Sequence, residues 1–512
     1  MATTRADLDG ASGTRPRTRA AASGVLAVAS GLGVSHLVAG IVGPSSSPLV
    51  AVGSRAVDVV PGPLKEWAVS VFGTADKAVL IGVALVVTLG LGAVVGVVWQ
   101  RSVRLGVVAG GLLALVALAA AALDPGRRLL WWLPALVAFG VAAWGLTRLS
   151  ASTEVVDAAS RRRFFRMGVG LGALGVAGWV LGEGVRSVVA AVPGVGRPRV
   201  TLPPRSSAPL PVGLEAEVPG LSAFVTPASE FFRIDTALAV PQVDAATWKL
   251  SVSGLVDRPF TLGWDELLAM DAIEKNVTLA CVSNDVGGPL IGSARWLGVR
   301  TSELLARAGV QAGADMVLGR SVDGFTVSAP LAALLDGRGA LVAYGMNGEA
   351  LTAEHGYPAR LLTPGLYGFV GATKWLIGLE VTTYASAQAY WTQRGWAAQA
   401  PMKGGSRIEV PRGSSRVPVG TVKVGGAAWA PEVGVRAVQV RVDGGPWLDA
   451  TLGPDAGVQF WRQWVYMWDA AAGEHRLQVR VVDANGVAQD ETMATPFPDG
   501  ASGLHTVAVV VG

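Results

Sequence analysis

The sequence predicts a multi-domain chain: an N-terminal all-α transmembrane bundle, a central α+β domain and a C-terminal β-sandwich. Three observations predict it. Five apolar stretches of membrane-spanning length all fall before residue 192. From about Leu221 the pattern changes to short strands and short helices with no regular βαβ repeat. After Arg416 the chain alternates as strands broken by turn residues. The composition fits a hybrid, because 51% of the 512 residues are hydrophobic and only 16% are charged. That is too apolar for a wholly soluble protein and too polar for a pure membrane bundle. The expected boundaries are a membrane anchor over 1–192, a linker over 193–220, a catalytic domain over 221–403 and the sandwich over 404–512.

The apolar stretches run from Ala20 to Val42, Ala78 to Trp99, Val103 to Leu123, Leu129 to Leu149 and Met167 to Val192. Between the first two lies a mixed, interfacial segment with Pro44, Pro48, Pro61 and Pro63. Basic residues set the orientation. Eleven fall in the N-terminal tail and the second-to-third and fourth-to-fifth connections, against five (Arg55, Lys65, Lys77, Arg127, Arg128) on the opposite side. This places the N-terminus in the cytoplasm and everything after Val192 outside it. In the fourth-to-fifth connection, Ser160-Arg-Arg-Arg-Phe-Phe-Arg166 precedes a glycine-rich apolar run. It resembles a twin-arginine export signal, which carries proteins that fold before crossing the membrane. His36 is the one histidine in this half, so a haem held by two histidines is not expected, and His36 reads as a packed or interfacial residue. With so few ionisable groups in the spans, the helices read as an anchor or a docking surface for a redox partner. The formal charge of +4 follows from topology signals, and no basic patch interleaved with aromatics suggests a nucleic-acid partner.

The linker is rich in Pro, Gly, Ser and Val and reads as an extended tether. Beyond it, Trp248 to Gly254 and Leu341 to Tyr344 read as strands. Thr261 to Met270 and Thr301 to Arg307 read as capped helices, and Ser321 to Ser328 as a strand interrupted by a turn. No phosphate-binding P-loop and no dinucleotide fingerprint is present. Cys281 is the only cysteine, so it has no internal disulfide partner. A lone thiol is usually an apolar filler, but this one ends a short apolar strand (Val277 to Val282) that leads into a polar, glycine-containing turn. That position suits a reactive thiol or a soft-metal ligand.

Several blocks in order carry a further reading: Phe231-Phe-Arg-Ile-Asp-Thr236, the Cys281 turn, Ala294-Arg-Trp296, Leu341-Val-Ala-Tyr344-Gly-Met-Asn347, His355-Gly-Tyr-Pro-Ala-Arg360 with Pro364, and Lys374-Trp375. Together, over roughly Phe231 to Val381, they resemble the sulfite oxidase family of molybdopterin-dependent oxidoreductases. The resemblance implies a membrane-anchored bacterial enzyme whose molybdenum is held by a pyranopterin dithiolene and by the thiolate of Cys281. It implies that Tyr344 faces the metal and orients substrate. His355 and Arg360 would grip the pterin and its phosphate, with Thr373 and Lys374 adding charge and backbone contacts. Phe232, Arg233, Asp235 and Thr236 would form the first pterin loop, with Ser321 near a further contact. It implies no haem in this chain, and so a separate electron carrier. Two departures bear on the substrate. The arginine of the first pterin loop is displaced by one residue, and Arg462 does not align with the family's substrate arginine. The substrate is therefore a small oxyanion or a sulfoxide, and the reaction is oxygen-atom transfer in either direction. A non-catalytic, membrane-tethered interaction protein is the remaining alternative.

The C-terminal strands start with Thr421 to Val424, Val435 to Val442 and His475 to Val482, with turns at Asp443-Gly-Gly445 and Asp483-Ala-Asn-Gly486. They predict an immunoglobulin-like sandwich, preceded by a basic connector from Gly404 to Arg416. The sandwich resembles the family's dimerisation domain, which makes a homodimer an expected assembly. His475 and His505 read as isolated surface residues.

Overall fold

The computed structural model describes residues 14–60, 64, 67, 71–72, 75–125, 127, 129–150, 158–191, 202 and 207–512. Arg5 and the rest of the tail before Thr14, Pro61, Pro63, Lys65, Arg128 and nearly all of 193–206 lie outside those residues. The chain forms two compact units: Met1–Pro198 with Thr236–Gln242, and Arg199–Asp235 with Val243–Gly512.

The first unit is helical: α1 (Thr14–Val42), α2 (Pro48–Val59), α3 (Asp76–Arg101), α4 (Val103–Ala122), α5 (Leu133–Ser150) and α6 (Ala158–Ala191). Five of these are long and apolar enough to cross a membrane. Glycines let α1 approach its neighbours closely. A Cβ at Gly33 would lie 2.0 Å from Gly175 O, and one at Gly24 would lie 2.0 Å from Gly92 O. Close small-residue contact of this kind drives helix association where the hydrophobic effect is absent. The interfacial segment contains a helix that was not anticipated, α2, opened by Pro48 at its first turn, where a missing N–H costs nothing. The fourth span starts at Leu133 and not Leu129, with Pro134 in its first turn for the same reason. His36 on α1 is packed as expected: its ring stacks on Trp179 of α6 at 4.1 Å, and Nε2 lies 3.0 Å from Glu183 Oε1.

The second unit has a central α+β region and a β-rich C-terminal region. The central region holds two sheets. One contains β1 (Lys249–Gly254), β2 (Phe260–Gly263), β5 (Met316–Ser321), β6 (Thr326–Pro330) and β10 (Leu376–Thr382), in the order β2-β1-β10-β5-β6. The other contains β3 (Ala272–Ala280), β4 (Ile291–Arg300), β7 (Leu341–Met346) and β8 (Glu349–Ala350) in sequence order, with β9 (Arg360–Leu362) paired to β7. One apolar core joins both sheets, with Leu250, Leu379 and Val317 from the first and Val277, Trp296 and Val342 from the second. Short helices α7 (Trp264–Leu268), α8 (Thr301–Ala308), α9 (Leu331–Leu335) and α10 (Gly368–Gly371) fill the connections. The expected helix from Thr261 is shorter. Thr261 to Gly263 pair with β1, and the helix starts only at Trp264.

The C-terminal region pairs a four-stranded sheet with a five-stranded one around a shared core that includes Val424, Trp464, Val440, Val479 and Val509. The expected connector after Gly404 is instead a strand, β11 (Gly405–Val410), paired antiparallel with β12 (Gly420–Trp429). Its alternating Ser406-Arg-Ile-Glu-Val410 suits an edge position. The end of the expected tether is also anchored, because Leu214 N donates to Gln463 Oε1 at 2.6 Å and Glu215 Oε2 accepts from Gln463 Nε2 at 2.9 Å.

Candidate active site

Cys281 follows β3 directly. Its N–H donates to Leu290 O at 2.9 Å, and its carbonyl accepts from Asn284 N at 3.1 Å. Asn284 Oδ1 closes the loop by accepting from Leu290 N at 2.7 Å. A polar turn therefore projects the half-buried Cys281 from the end of an apolar strand. Ser283 Oγ lies 2.9 Å from Sγ. Burial pushes the thiol above its ordinary value, and the Ser283 hydroxyl opposes that shift. A bound cation would reverse the direction, since a coordinating thiol is deprotonated. Among the described residues, no group of three or more His, Cys, Asp or Glu could hold a metal ion by itself, so a metal at Cys281 needs ligands from a cofactor.

A second cluster assembles around the turn between β8 and β9. Thr352 caps a short 3-10 turn, Ala353–His355, by accepting from His355 N. Gly356 follows with φ of +102°, where a Cβ would also meet Lys374 Cα at 2.9 Å, so glycine suits on both counts. His355 Nε2 lies 2.7 Å from Ala228 O, which ties the turn to the first loop. Arg360 opens β9. It stacks over Trp296 at 4.9 Å and donates Nη1 to His355 O at 3.3 Å. Lys374 Nζ lies 2.8 Å from Asp235 Oδ2 and 3.2 Å from Glu354 O. The next residue, Trp375, has φ of +51°, a conformation that costs a bulky side chain on the order of 1–3 kcal/mol. Its Nε1 donates to Ala353 O at 2.7 Å, and this holds the turn and the lysine together.

Electrostatics mark this cluster as an anion cradle. Burial lowers Arg360 to about 10 and Lys374 to about 8, the latter opposed by Asp235. Burial also lowers His355. Asp235, whose side chain is 3% exposed, balances Lys374 and Arg233. Arg360 has no such balance among the described residues: its Nε is buried without a hydrogen-bond partner. A buried guanidinium left in that state is costly, and a phosphate group matches its planar fork. These residues fit the phosphate of a pterin cofactor.

The first loop joins the cradle to the thiol. Phe231 meets His355 edge-on at 5.7 Å, and its ring lies against Gly292, where a Cβ would come within 2.9 Å of it. Gly292 is the neighbour of Ile291, the partner of Ala280 in the ladder. Phe232 stacks on Phe231 at 5.2 Å. Arg233 is 40% exposed and bonds Asp235. Ser321 ends β5 beside Asp323, whose carboxyl is raised by burial and also feels Asp235 and Lys374. Thr373 is buried, with Oγ1 turned toward Gly319. Thr236 belongs to the segment that packs with the helical unit.

Tyr344 is a correction. Ala280 pairs with Ile291, whereas Leu297 pairs with Gly345. Six residues of β4 separate the two levels; Arg360, paired with Ala343, lies at the Tyr344 level too, but side chains alternate along β7, so Tyr344 takes the face opposite Arg360. Tyr344 is fully buried and meets Trp264 edge-on at 6.0 Å. The strand register carries it into the core, away from the thiol. Tyr367 lies nearer the thiol. It precedes Gly368, where a Cβ would sit 3.8 Å from Ala280 O. Burial pushes Tyr367 up to about 12, and the Cys281 sulfur adds to that shift. The C-terminal region closes the other side. Arg407 Nη1 donates to Gly288 O at 2.9 Å, and the His505 ring packs on Gly287. His505 is therefore not an isolated surface residue. Nothing in the linear spacing links Tyr367, Arg407 or His505 to Cys281; the link exists only once the sandwich has packed on the loop.

A family model described as an oxidoreductase molybdopterin binding domain matches residues 237–391. An uncharacterized oxidoreductase of Bacillus subtilis, YuiH, is 35% identical over 153 residues, covering 30% of this chain and 74% of that protein. The mitochondrial sulfite oxidase of Macaca fascicularis is 30% identical over 322 residues, covering 53% of this chain. The chain spans 58% of the length of that sulfite oxidase. Among solved structures, the sulfane dehydrogenase SoxCD of Paracoccus pantotrophus aligns with a TM-score of 0.48 at 23% identity, covering 56% of this chain and 80% of that one.

Proposed function

Because the chain belongs to the sulfite oxidase family of molybdopterin-dependent oxidoreductases, we propose that it catalyses oxygen-atom transfer on the outer side of the cytoplasmic membrane. Its overall reaction is XO + 2e⁻ + 2H⁺ → X + H₂O or the reverse, with the electrons exchanged with a separate carrier. The cofactor, when bound, supplies the two-electron and oxygen-transfer chemistry. This chain's residues hold and orient it. Cys281 provides the protein thiolate for the metal. Arg360, His355 and Lys374 take the phosphate end. Phe232, Arg233, Asp235, Ser321 and Thr373 surround that end, and Thr236 continues the same loop. The Cys281 loop, Tyr367 and the C-terminal region shield the sulfur from bulk water.

The observation that carries this reading is the Arg360 guanidinium, buried and without a carboxylate on the same sheet that presents the thiol. The five apolar helices and the eleven-to-five bias in basic residues support the membrane anchor and its sidedness. The Arg161 to Phe164 run supports export of a folded, loaded protein. The two-sheet C-terminal region supports an immunoglobulin-like domain of the dimerising type. The test is pterin and molybdenum content of purified wild type and Arg360→Ala. The variant is expected to retain less than about a tenth of the wild-type pterin, given the loss of a buried bidentate donor. Equal pterin in both proteins would remove Arg360 from the cofactor site.

A further inference from the structure

The C-terminal region grips the chain on both sides of Cys281. Ahead of the thiol, Thr278 on β3 donates its N–H to Gln459 O at 2.8 Å, and its Oγ1 accepts from Trp461 N at 2.8 Å. Beyond the thiol, Gly288 O accepts from Arg407 Nη1 at 2.9 Å. The two grips form one piece, because the Arg407 guanidinium stands over the Trp461 ring at 5.6 Å. His505 adds a third contact. Its Nδ1 accepts from Ile408 N at 2.9 Å, and its ring fills the space at Gly287, where a Cβ would lie 2.2 Å from Cδ2.

Arg407 is itself held from several directions. It is buried, and its Nε and Nη2 donate to Glu409 Oε1 at 2.7 and 2.5 Å. Nη2 also donates to Ser222 Oγ at 3.0 Å, and Glu409 Oε2 accepts from Ser222 N at 2.7 Å. A planar guanidinium fixed in this way presents Nη1 in a set direction. The group that stands there is the Gly288 carbonyl. Short links pass its position to the thiol. Leu290 lies two residues on, with its N–H held by Asn284 Oδ1 at 2.7 Å, and its carbonyl accepts from Cys281 N at 2.9 Å. Arg407 thus acts on the loop and not on the sulfur directly.

We infer that Arg407 is a positioning residue for Cys281: fixed by Glu409 and Ser222, it holds the thiol loop against the C-terminal region and sets where the sulfur stands. The inference rests on the proposed role of Cys281 and adds to it a group from outside the central sheets. Cys281 is the only cysteine, so a thiol reagent reads this loop and nothing else. The test is the rate of alkylation by iodoacetamide, at one pH, of the full chain made without cofactor and held in detergent. Arg407→Met combined with Glu409→Gln removes the ion pair without leaving one buried charge behind. This double variant should be alkylated at least about tenfold faster than wild type, through local opening of the loop. Arg407→Lys should fall between the two, because an ammonium cannot serve Glu409, Ser222 and Gly288 together. Val479→Ala opens a cavity in the C-terminal core away from the loop. It should lower the melting temperature yet leave the alkylation rate within about twofold of wild type. Equal rates in wild type and the double variant would overturn the inference. So would a Val479→Ala rate as high as that of the double variant, since alkylation would then follow general loosening. The assay contains no metal, so its failure leaves the proposed function standing; that function fails separately, if Cys281→Ser retains molybdenum.

Discussion

In the proposed site, Cys281, Arg360 and Lys374 are assigned most of the chemistry because each is a group that burial would penalise without a partner. Asp235 meets that need for Lys374, and the structure offers nothing equivalent for Arg360. Two of these three were legible as chemistry only through the family blocks, since a lysine in a bend or an arginine on a short strand has no linear signature. Tyr344 shows the opposite failure. Its block suggested a role at the metal, but strand register decides which level of a sheet a residue occupies, and register is invisible in the block itself. Its hydroxyl is buried without a hydrogen-bond partner, so removing it deletes an unsatisfied group. Tyr344→Phe is therefore expected to leave kcat/KM within about twofold of wild type and to hold or raise the melting temperature. A hundredfold loss of kcat with normal metal content would return Tyr344 to the reacting centre.

Among elements, β11 was hidden by its composition. Gly404 to Arg416 is rich in glycine, serine and charge and read as a connector, yet its charges are paired within the strand, Arg407 with Glu409 at 2.5 Å, which lets Gly405 to Ile408 be buried. With β11 came Arg407 and the packing of His505 on the Cys281 loop. Burial, and secondarily Arg407, holds the His505 pKa below its ordinary 6.5. The unfolded chain thus takes up a proton before the folded one. The stability contributed by neutral His505 is present above about pH 6.5 and is lost as pH falls below that value. The melting temperature of wild type should drop more steeply from pH 7 to pH 5 than that of His505→Gln; parallel curves would show that the ring is not held neutral by packing. In the helical unit, Gly33 touches α6 through backbone. Gly33→Val should destabilise that packing by about 1–3 kcal/mol, read as a lower unfolding midpoint in detergent.

For the whole molecule, the division into a helical part, an α+β part and a β-rich part was legible because periodicity and hydropathy differ so strongly between them. Residue-level boundaries were less so. Thr236–Gln242 packs with the helical unit although it lies within the expected catalytic domain, and Lys77 Nζ donating to Ala237 O at 2.8 Å is part of what holds it there. A contact of that kind joins positions far apart in sequence, and no local pattern announces it. The orientation argued from basic residues predicts that protease added to right-side-out vesicles digests a C-terminal tag and spares an N-terminal one; the reverse pattern would invert the topology. Membership of the family makes the metal the centre of the account, and the thiol is its only proposed protein ligand. The most direct measurement is the molybdenum-to-protein ratio of wild type and Cys281→Ser, purified side by side from a host that makes the cofactor. The account predicts a ratio near one for wild type and a loss of at least about tenfold in the variant, given that a buried serine hydroxyl does not replace a soft thiolate. Equal molybdenum in the two proteins would contradict it.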